Sequence, residues 1–448
     1  MRRLRPSLET REATLAVVRM ECFAADANGT PRHAGSFPRF VDSLAPYFRE
    51  IEVAVPRVPP DRIPPEGSTF SAPNVRLVPL PDLQGVRRCY GRAPSALARL
   101  WRRARRWDLI NLRVPDNFFP FGVALARARR IPYYVSLVAD PLATRSSRIA
   151  SLPPLRRPLA RLHGALQQAA FRRGLTGAFC VAHGEALRRV AESSGALAQS
   201  LLSASLWDRE ILLVPPPPGP GNRLLYVGRI SPEKGLGILL EAVARASRKD
   251  FRLTLVGAPF KGEDRILKDV ARRDGLSERL SFLGHVPLGP RLFRIYQEHD
   301  LLVLPSLSEG TPRVLGEAMG NGIAIVASDA GGVRDLIEHD RTGHLVPPGD
   351  SASLSGALDA LSADAARRSR FVAEGLRVAR GRTLEAQARR HFEILCEARG
   401  TLPWERVGTH HLTSALAPEK GSHTPSIPIT HSKKTLCDRF QHGCGAES

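Results

Sequence analysis

The sequence predicts an α/β protein made of two doubly wound domains that face each other across a cleft. In the first half, short apolar runs alternate with amphipathic stretches of helical length. Strands separated by helices of this length pair in parallel through right-handed crossovers, and helices cover both faces of the sheet. The same alternation restarts after residue 222. Between the halves lies VPPPPGPGN, Val214 to Asn222, whose prolines fit neither a helix nor a central strand.

In the first domain, residues 1–213, TLAVV (Thr14 to Val18) reads as a strand and Phe37 to Tyr47 as a helix. IEVAV (Ile51 to Val55) and VRLVPL (Val75 to Leu80) are strands, and an arginine-rich helix follows from about Pro94 to Arg106. DLINL (Asp108 to Leu112), YYVSLV (Tyr133 to Val138) and GAFCVA (Gly177 to Ala182) continue the series. Residues 214–222 are an extended connector. The second domain, residues 223–384, opens with the strand RLLYVG (Arg223 to Gly228) and a helix from Leu236 to about Ser247. LTLVG (Leu253 to Gly257), LSFLG (Leu280 to Gly284), LLVLP (Leu301 to Pro305) and IAIVAS (Ile323 to Ser328) follow, each leading into a helix. A last helix occupies residues 385–400, from Glu385 to Ala398 in its core. From 401 to 448 the chain turns to Thr, Ser, Pro, His and Gly without period, which predicts a disordered tail. Five of the thirteen histidines lie there without metal-ligand spacing.

Composition narrows the partners. Against 44 acidic side chains stand 65 basic ones, a net charge of +21, and Lys234 is the first lysine. An arginine surplus attracts anions such as nucleotides, acidic lipid head groups or nucleic acid. Here the arginines spread over many helix faces rather than forming one stripe, and no nucleic-acid motif accompanies them, so no specific nucleic-acid partner is expected. The six cysteines are scattered without a C-x-x-C pair, which fits reduced thiols in the cytoplasm better than a zinc site or a disulfide framework. The basic start MRRLRPSLETREATLAVV has too short an apolar stretch for a signal peptide, and no run is long enough to span a bilayer. Membrane contact, if made, is peripheral.

Chemistry concentrates in PSLSEGTPRVLGEAMGNGIAIVASDAGG, Pro305 to Gly332. A strand ends at Pro305, a loop carries Glu309, Gly310 and Thr311, and Pro312 suits the first position of a helix. The free N–H groups at that helix start, Arg313, Val314 and Leu315, suit an anion. Glu309 and Glu317, eight positions apart, offer carboxylates to vicinal hydroxyls of the kind ribose and hexose present. Upstream, YVGRISPEKG (Tyr226 to Gly235) sets Gly228 and Arg229 at a strand end and Lys234 at the next helix start, two cations fit to hold a pyrophosphate. Neither a P-loop nor a G-x-G-x-x-G fingerprint is present, which argues against an NTPase or a dehydrogenase.

Taken in order, these segments make Arg223 to Gly349 resemble the retaining glycosyltransferases of the GT-B, family 4 (group 1) class. The resemblance rests on G-R-x-x-x-x-K-G, on P-S-x-x-E-G-x-P-x-x-x-x-E-A-M, on the Gly331-Gly332 turn, and on T-G-x-L-V-P-x-G-D from Thr342 to Asp350. It implies a GT-B fold of two Rossmann-like domains. It also implies that Arg229 and Lys234 hold a donor diphosphate, that Glu309 meets the donor sugar and Glu317 the ribose, and that backbone from Gly284 to Val286 lies near the base. The first half is similar only in pattern. Where the family has a glycine pair, this chain has His33-Ala34-Gly35-Ser36, and where the family has His-Asp it has Ala139-Asp140. Asp140 or His33 is then expected to take the histidine's part, with Gly35 on the acceptor side. The implied reaction moves a sugar from a nucleoside diphosphate sugar to a saccharide or lipid-linked acceptor, in cell-surface polysaccharide or glycolipid synthesis. No cofactor is expected, and the lack of any D-x-D triplet fits a metal-independent route. A nucleotide-sugar epimerase of the same fold and a non-catalytic sugar-nucleotide-binding scaffold are the alternatives.

Overall fold

The structure, a computed structural model, describes residues 13–398 apart from 27, 34, 64–66, 141–152, 154–156 and 261. The tail predicted from residue 401 lies outside the described residues.

Strands β1 (Thr14–Val18), β2 (Phe23–Ala25), β3 (Pro31–His33), β4 (Glu50–Pro56), β5 (Val75–Leu80), β6 (Leu109–Val114), β7 (Tyr133–Leu137), β8 (Phe179–Ala182) and β9 (Leu197–Ser200) belong to the first half. Seven of them form a parallel sheet in the order β5-β4-β1-β6-β7-β8-β9, while β2 and β3 pair as an antiparallel hairpin. Helices α1 (Phe37–Leu44), α2 (Val86–Arg103), α3 (Phe119–Arg129), α4 (Arg157–Leu175) and α5 (Glu185–Ser193) flank the sheet. β1 shows why its run is apolar throughout. Leu15 and Val17 join a core with Phe37, Val41 and Leu44 of α1, whereas Ala16 and Val18 join a second core with Cys89, Ala93 and Leu100 of α2. Alternate side chains feed opposite faces, and both faces are covered.

The second half builds a parallel sheet from β10 (Arg223–Val227), β11 (Arg252–Val256), β12 (Leu280–Gly284), β13 (Leu301–Leu304), β14 (Ala324–Ser328) and β15 (His344–Val346), in the order β12-β11-β10-β13-β14-β15. Its helices are α6 (Leu236–Arg245), α7 (Glu263–Arg273), α8 (Pro290–Gln297), α9 (Arg313–Gly320), α10 (Ser351–Ala363) and α11 (Ala365–Arg380). The last helix, α12 (Leu384–Ala398), crosses back and buries Ala388, Ile394 and Ala398 in the α1-side core of the first domain. Burying a side chain the size of Ile394 contributes roughly 1.5–3 kcal/mol, so α12 ties the two halves together. Residues 214–222 carry no regular element. Arg368 fastens this stretch by donating to the Gly219 carbonyl at 2.6 Å, and Arg380 donates to the carbonyl of Leu213, just ahead of it, at 2.6 Å.

Four expectations need correction. The arginine-rich helix begins at Val86 rather than near Pro94, and Pro94 lies inside it at an exposed position. The buried stripe of Cys89, Ala93, Ala96 and Leu100 outweighs the missing N–H. The β2–β3 hairpin and β9 were not expected, because three- and four-residue strands such as LAQS carry too few apolar positions to show a period. The strand IAIVAS leads into a short 3-10 turn, Gly331–Asp335, instead of a helix. Pro312 stands just ahead of α9 as its N-cap residue, with ψ at 105°, rather than at its first helical position.

Candidate functional site

Open parallel sheets bind ligands where neighbouring strands send their crossovers in opposite directions, beyond the carboxyl ends. In the second sheet that point falls between β10 and β13, and in the first between β1 and β6.

The β10 end carries Gly228 and Arg229. Gly228 donates its N–H to the Val256 carbonyl at 2.9 Å, and the buried Tyr226 hydroxyl donates to the Arg229 carbonyl at 2.6 Å. These bonds fix the turn and leave the Arg229 side chain exposed. A short 3-10 turn, Pro232–Lys234, then brings Lys234 back to the β13 loop. Its Nζ donates to Glu309 Oε1 at 2.6 Å, and Ser306 Oγ donates to the same oxygen at 2.6 Å. The side chains of Lys234 and Glu309 are 17% and 7% exposed. The loops are also joined through backbone, with Leu307 N donating to the Glu233 carbonyl at 2.9 Å.

The glycine pair has a steric cause. Gly332 N donates to the Gly310 carbonyl at 2.9 Å, so the turn presses against the loop that carries Glu309. A Cβ on Gly331, at φ +56°, would lie 1.9 Å from the Glu309 carbonyl oxygen, and one on Gly332 would lie 2.2 Å from that of Gly310. Side chains at these two positions would push the Glu309 loop out of place.

No side chain caps α9. Leu315 N already donates to the Pro312 carbonyl at 3.2 Å, which corrects its expected place in an anion site. Arg313 and Val314 are left as the N–H groups ahead of it. The side chains of Thr311 and Arg313 reach across to the first domain: Thr311 Oγ1 donates to the His183 carbonyl at 3.0 Å, and Arg313 Nη1 to Ser36 Oγ at 2.5 Å. Further along α9, Glu317 is half-buried and accepts from the Tyr296 hydroxyl at 3.1 Å. Burial and that carboxylate push the Tyr296 hydroxyl pKa up, so it stays a donor. Gly284, at φ +67°, ends β12 and accepts from Gly257 N at 2.7 Å. The Val286 side chain belongs to the core at 4% exposure, so at that position only backbone is offered to a ligand.

The facing half of the cleft encloses about 570 Å³. Both His33 and Gly35 line it, as do Thr311 and Arg313 from the second domain. His33 is 2% exposed amid Phe23, Phe37 and Phe70, and burial lowers its pKa to about 4. It is thus a neutral ring in an aromatic cluster. Asp140 is half-buried beyond β7 and is not among the residues that line this cavity. A histidine does reach the cleft, one strand later. His183 follows β8, its Nδ1 sits 2.5 Å from Ser203 Oγ, and its buried Nε2 has no partner among the described residues. Burial, with nearby cationic groups, lowers its pKa to about 3. Sequence reasoning passed over His183, and also Arg19 and Arg113, which line the same cavity. The available signal was position: each lies at or next to the carboxyl end of a parallel strand.

For metals, one group among the described residues, His339, Asp340 and His344, has ligand atoms within 4.8 Å of one another. Arg367 donates to Asp340 there, so a guanidinium already serves that carboxylate.

Two opposed doubly wound sheets with their switch points turned to one cleft define the GT-B class. Anabaena HepE in complex with UDP and glucose is similar in fold, with a TM-score of 0.64 over 86% of this chain and 100% of that one at 17% identity. Residues 221–364 match the family described as glycosyl transferases group 1. D-inositol 3-phosphate glycosyltransferase of Nocardia farcinica is 36% identical over 166 residues, 35% of this chain and 36% of that protein. Phosphatidyl-myo-inositol mannosyltransferase of Mycobacterium leprae is 35% identical over 164 residues, 36% of this chain and 42% of that protein. The matched stretch thus spans well under half the length of these relatives.

Proposed function

We propose that the chain is a retaining glycosyltransferase that moves a hexosyl unit from a nucleoside diphosphate sugar to an acceptor hydroxyl. The observation that carries the reading is the junction of Lys234 and Glu309 at the β10–β13 switch point, inside the stretch that matches group 1 glycosyl transferases. An ammonium has three N–H donors. With one on Glu309, two remain for phosphate oxygens, so Lys234 serves the donor without leaving its carboxylate. Arg229 and the N–H groups of Arg313 and Val314 supply further positive potential for the departing diphosphate. Glu309 accepts from donor sugar hydroxyls, and Glu317, held by Tyr296, accepts from the ribose.

In the transfer the anomeric C–O bond to the diphosphate breaks. The acceptor oxygen takes its place on the same face, and the acceptor proton leaves with the diphosphate. Same-face replacement brings the acceptor hydroxyl next to the departing oxygen, which makes that oxygen the nearest base. Cations meet the leaving-group charge, so the reading includes neither a metal nor a cofactor. Closure of the cleft limits hydrolysis of the donor.

The setting we propose is the cytoplasmic face of a membrane, in polysaccharide or glycolipid synthesis. Names among the relatives, such as the amylovoran biosynthesis glycosyltransferase AmsK of Erwinia amylovora, support it. No helix among the described residues is long and apolar enough to cross a membrane. The outer face of α4 instead shows Leu159, Leu162 and Leu166 at 71%, 58% and 62% exposure, on a helix with four arginines and no acidic residue. An apolar stripe at helical spacing beside arginines suits an anionic bilayer surface. The test is calorimetry with a panel of nucleoside diphosphates, then a donor screen with product analysis. The reading expects binding that Lys234→Ala and Glu317→Ala each weaken. Unchanged affinity in both variants removes the site. Sugar interconversion without an acceptor would make the chain an epimerase, and binding without turnover a scaffold.

A further inference from the structure

The first sheet has its own switch point, and arginines occupy it. Arg19 directly follows β1, and Arg113 is the second-last residue of β6, on the two strands whose crossovers diverge. Both line the 570 Å³ cavity, together with Arg62 and with Arg313 from the second domain, against Glu21 as the one lining carboxylate among the described residues. Arg62 lies 3.8 Å from Asp82, and Arg113 is paired with Glu21. Arg19 has no carboxylate partner among the described residues. It is 6% exposed, its guanidinium lies over the rings of Phe37 and Phe40 at 4.5 and 5.3 Å, and its Nε has no hydrogen-bond partner among the described residues. The Arg113 Nε is likewise buried and has no partner among the described residues. Asp116, the nearby acid, turns its carboxylate to the N–H groups of Met20 and Phe118 at 2.9 and 2.8 Å.

A buried guanidinium without an anion is unfavourable unless something arrives to pair with it. Burial, with repulsion from Arg313, lowers the pKa of Arg19 to about 10, and burial, with repulsion from Arg19 and Arg313, lowers that of Arg113 to about 9, while Asp116 opposes both shifts. Both stay charged at neutral pH, yet each would gain from an added negative charge. Four arginines around one half of a cleft are more than a neutral sugar requires, since hydroxyls need acceptors as well as donors. The two switch points also divide the work by position: the second domain holds the cations suited to the donor diphosphate, and the first holds a separate set across the cleft.

We propose that the first-domain half of the cleft binds a phosphate group carried by the acceptor, held by Arg19 and Arg113. The acceptor is then anionic, a phosphorylated sugar or a phospholipid head group. This rests on the glycosyltransferase reading, because the phosphate has the part of an acceptor anchor only if a donor occupies the opposite side.

The experiment is calorimetric titration of the full chain, with and without a saturating nucleoside diphosphate. The probes are glucose 6-phosphate, glucose, inorganic phosphate and dihexanoyl phosphatidylglycerol. Glucose 6-phosphate or the lipid should bind at least tenfold more tightly than glucose, and whichever is stronger names the source of the phosphate. Affinity should fall as salt rises. Arg19→Gln and Arg113→Gln should each weaken phosphate-probe binding about 10-fold or more. Glu21→Gln should tighten it by freeing Arg113, a gain that a merely structural pair would not give, and one that stands even if a variant of Arg19 folds poorly. Equal affinity for glucose and its phosphate, or no change in both Arg113→Gln and Glu21→Gln, overturns the proposal. Competition between the phosphate probes and the nucleoside diphosphate overturns it too, because the arginines would then serve the donor. Phosphate binding that persists in a chain with no nucleotide affinity would sink the glycosyltransferase reading and leave the anion site standing.

Discussion

Replacing Lys234 by Met separates the structural and functional parts of the β10–β13 junction. In the folded chain the Glu309 carboxylate is 7% exposed and accepts from Lys234 and Ser306. Without the ammonium it keeps one hydroxyl donor and an uncompensated charge. Removing one partner of a buried pair costs about 3–5 kcal/mol. Lys234 is 17% exposed, so water reaches part of the site and the lower end, about 3 kcal/mol, is expected. Glu309→Gln in the same chain removes the orphan charge while keeping an oxygen for Ser306. The double variant should therefore recover about 2 kcal/mol relative to Lys234→Met alone, read as a rise in the urea midpoint. Nucleoside diphosphate affinity should move differently. Lys234→Met should lower it roughly 10- to 100-fold, the worth of a charge-assisted hydrogen bond of about 1.5–3 kcal/mol, and the double variant should not restore it. If the two substitutions add within about 0.5 kcal/mol, the pair is not coupled and the reasoning fails. If the double variant regains nucleotide affinity, Lys234 acts on Glu309 and not on phosphate.

Acid pH should destabilise the fold through its buried histidines. His391 is fully buried and burial lowers its pKa to about 3, so below its unfolded value near 6.5 only the unfolded chain takes the proton. That contribution is complete above about pH 6.5 and falls away toward pH 3, by roughly 1.4 kcal/mol per pH unit. Urea midpoints taken from pH 7 to 5 should drop, and His391→Phe should flatten the slope; an unchanged slope counts against it. Gly184 holds φ +103°, and a Cβ there would lie 2.4 Å from Thr311 Oγ1, so Gly184→Ala should cost about 1–3 kcal/mol, seen as a lower melting temperature. An unshifted melt would mean that the contact yields freely. Changing Leu159, Leu162 and Leu166 together to Ser should cut binding to phosphatidylglycerol vesicles by roughly tenfold per leucine, and undiminished sedimentation would clear α4 of a membrane part.

The second domain was more legible than the first for a physical reason. Its chemistry lies on strand ends and a helix start joined by short turns, so spacing along the chain carries over into space. Lys234 and Glu309 are 75 residues apart, yet each follows one of two neighbouring strands, β10 and β13, and the side chains meet there. The errors there are small shifts of backbone, such as Pro312 capping α9 rather than opening it and Leu315 turning its N–H inward. Pro94 misled because a proline start is a common signal, whereas here a buried stripe on one side of α2 sustains the helix through it.

The first-domain half of the cleft could not be read in the same way, because its residues have no motif and gain meaning only from sheet order. Nothing in Val18-Arg19 or Leu112-Arg113-Val114 sets those arginines apart from the many others in an arginine-rich chain. Placing β1 beside β6 does so, because it puts the two side chains at one crevice and leaves Arg19 almost without solvent or counter-charge. The same ordering moves attention from Asp140, after β7, to His183, after β8, whose carbonyl receives Thr311 from the opposite domain. A catalytic part for a residue in this half therefore has to be argued from what the two switch points share across the cleft. On that ground His183, bound to Ser203 and neutral through burial, is a better candidate to orient an acceptor hydroxyl than a group that must carry charge.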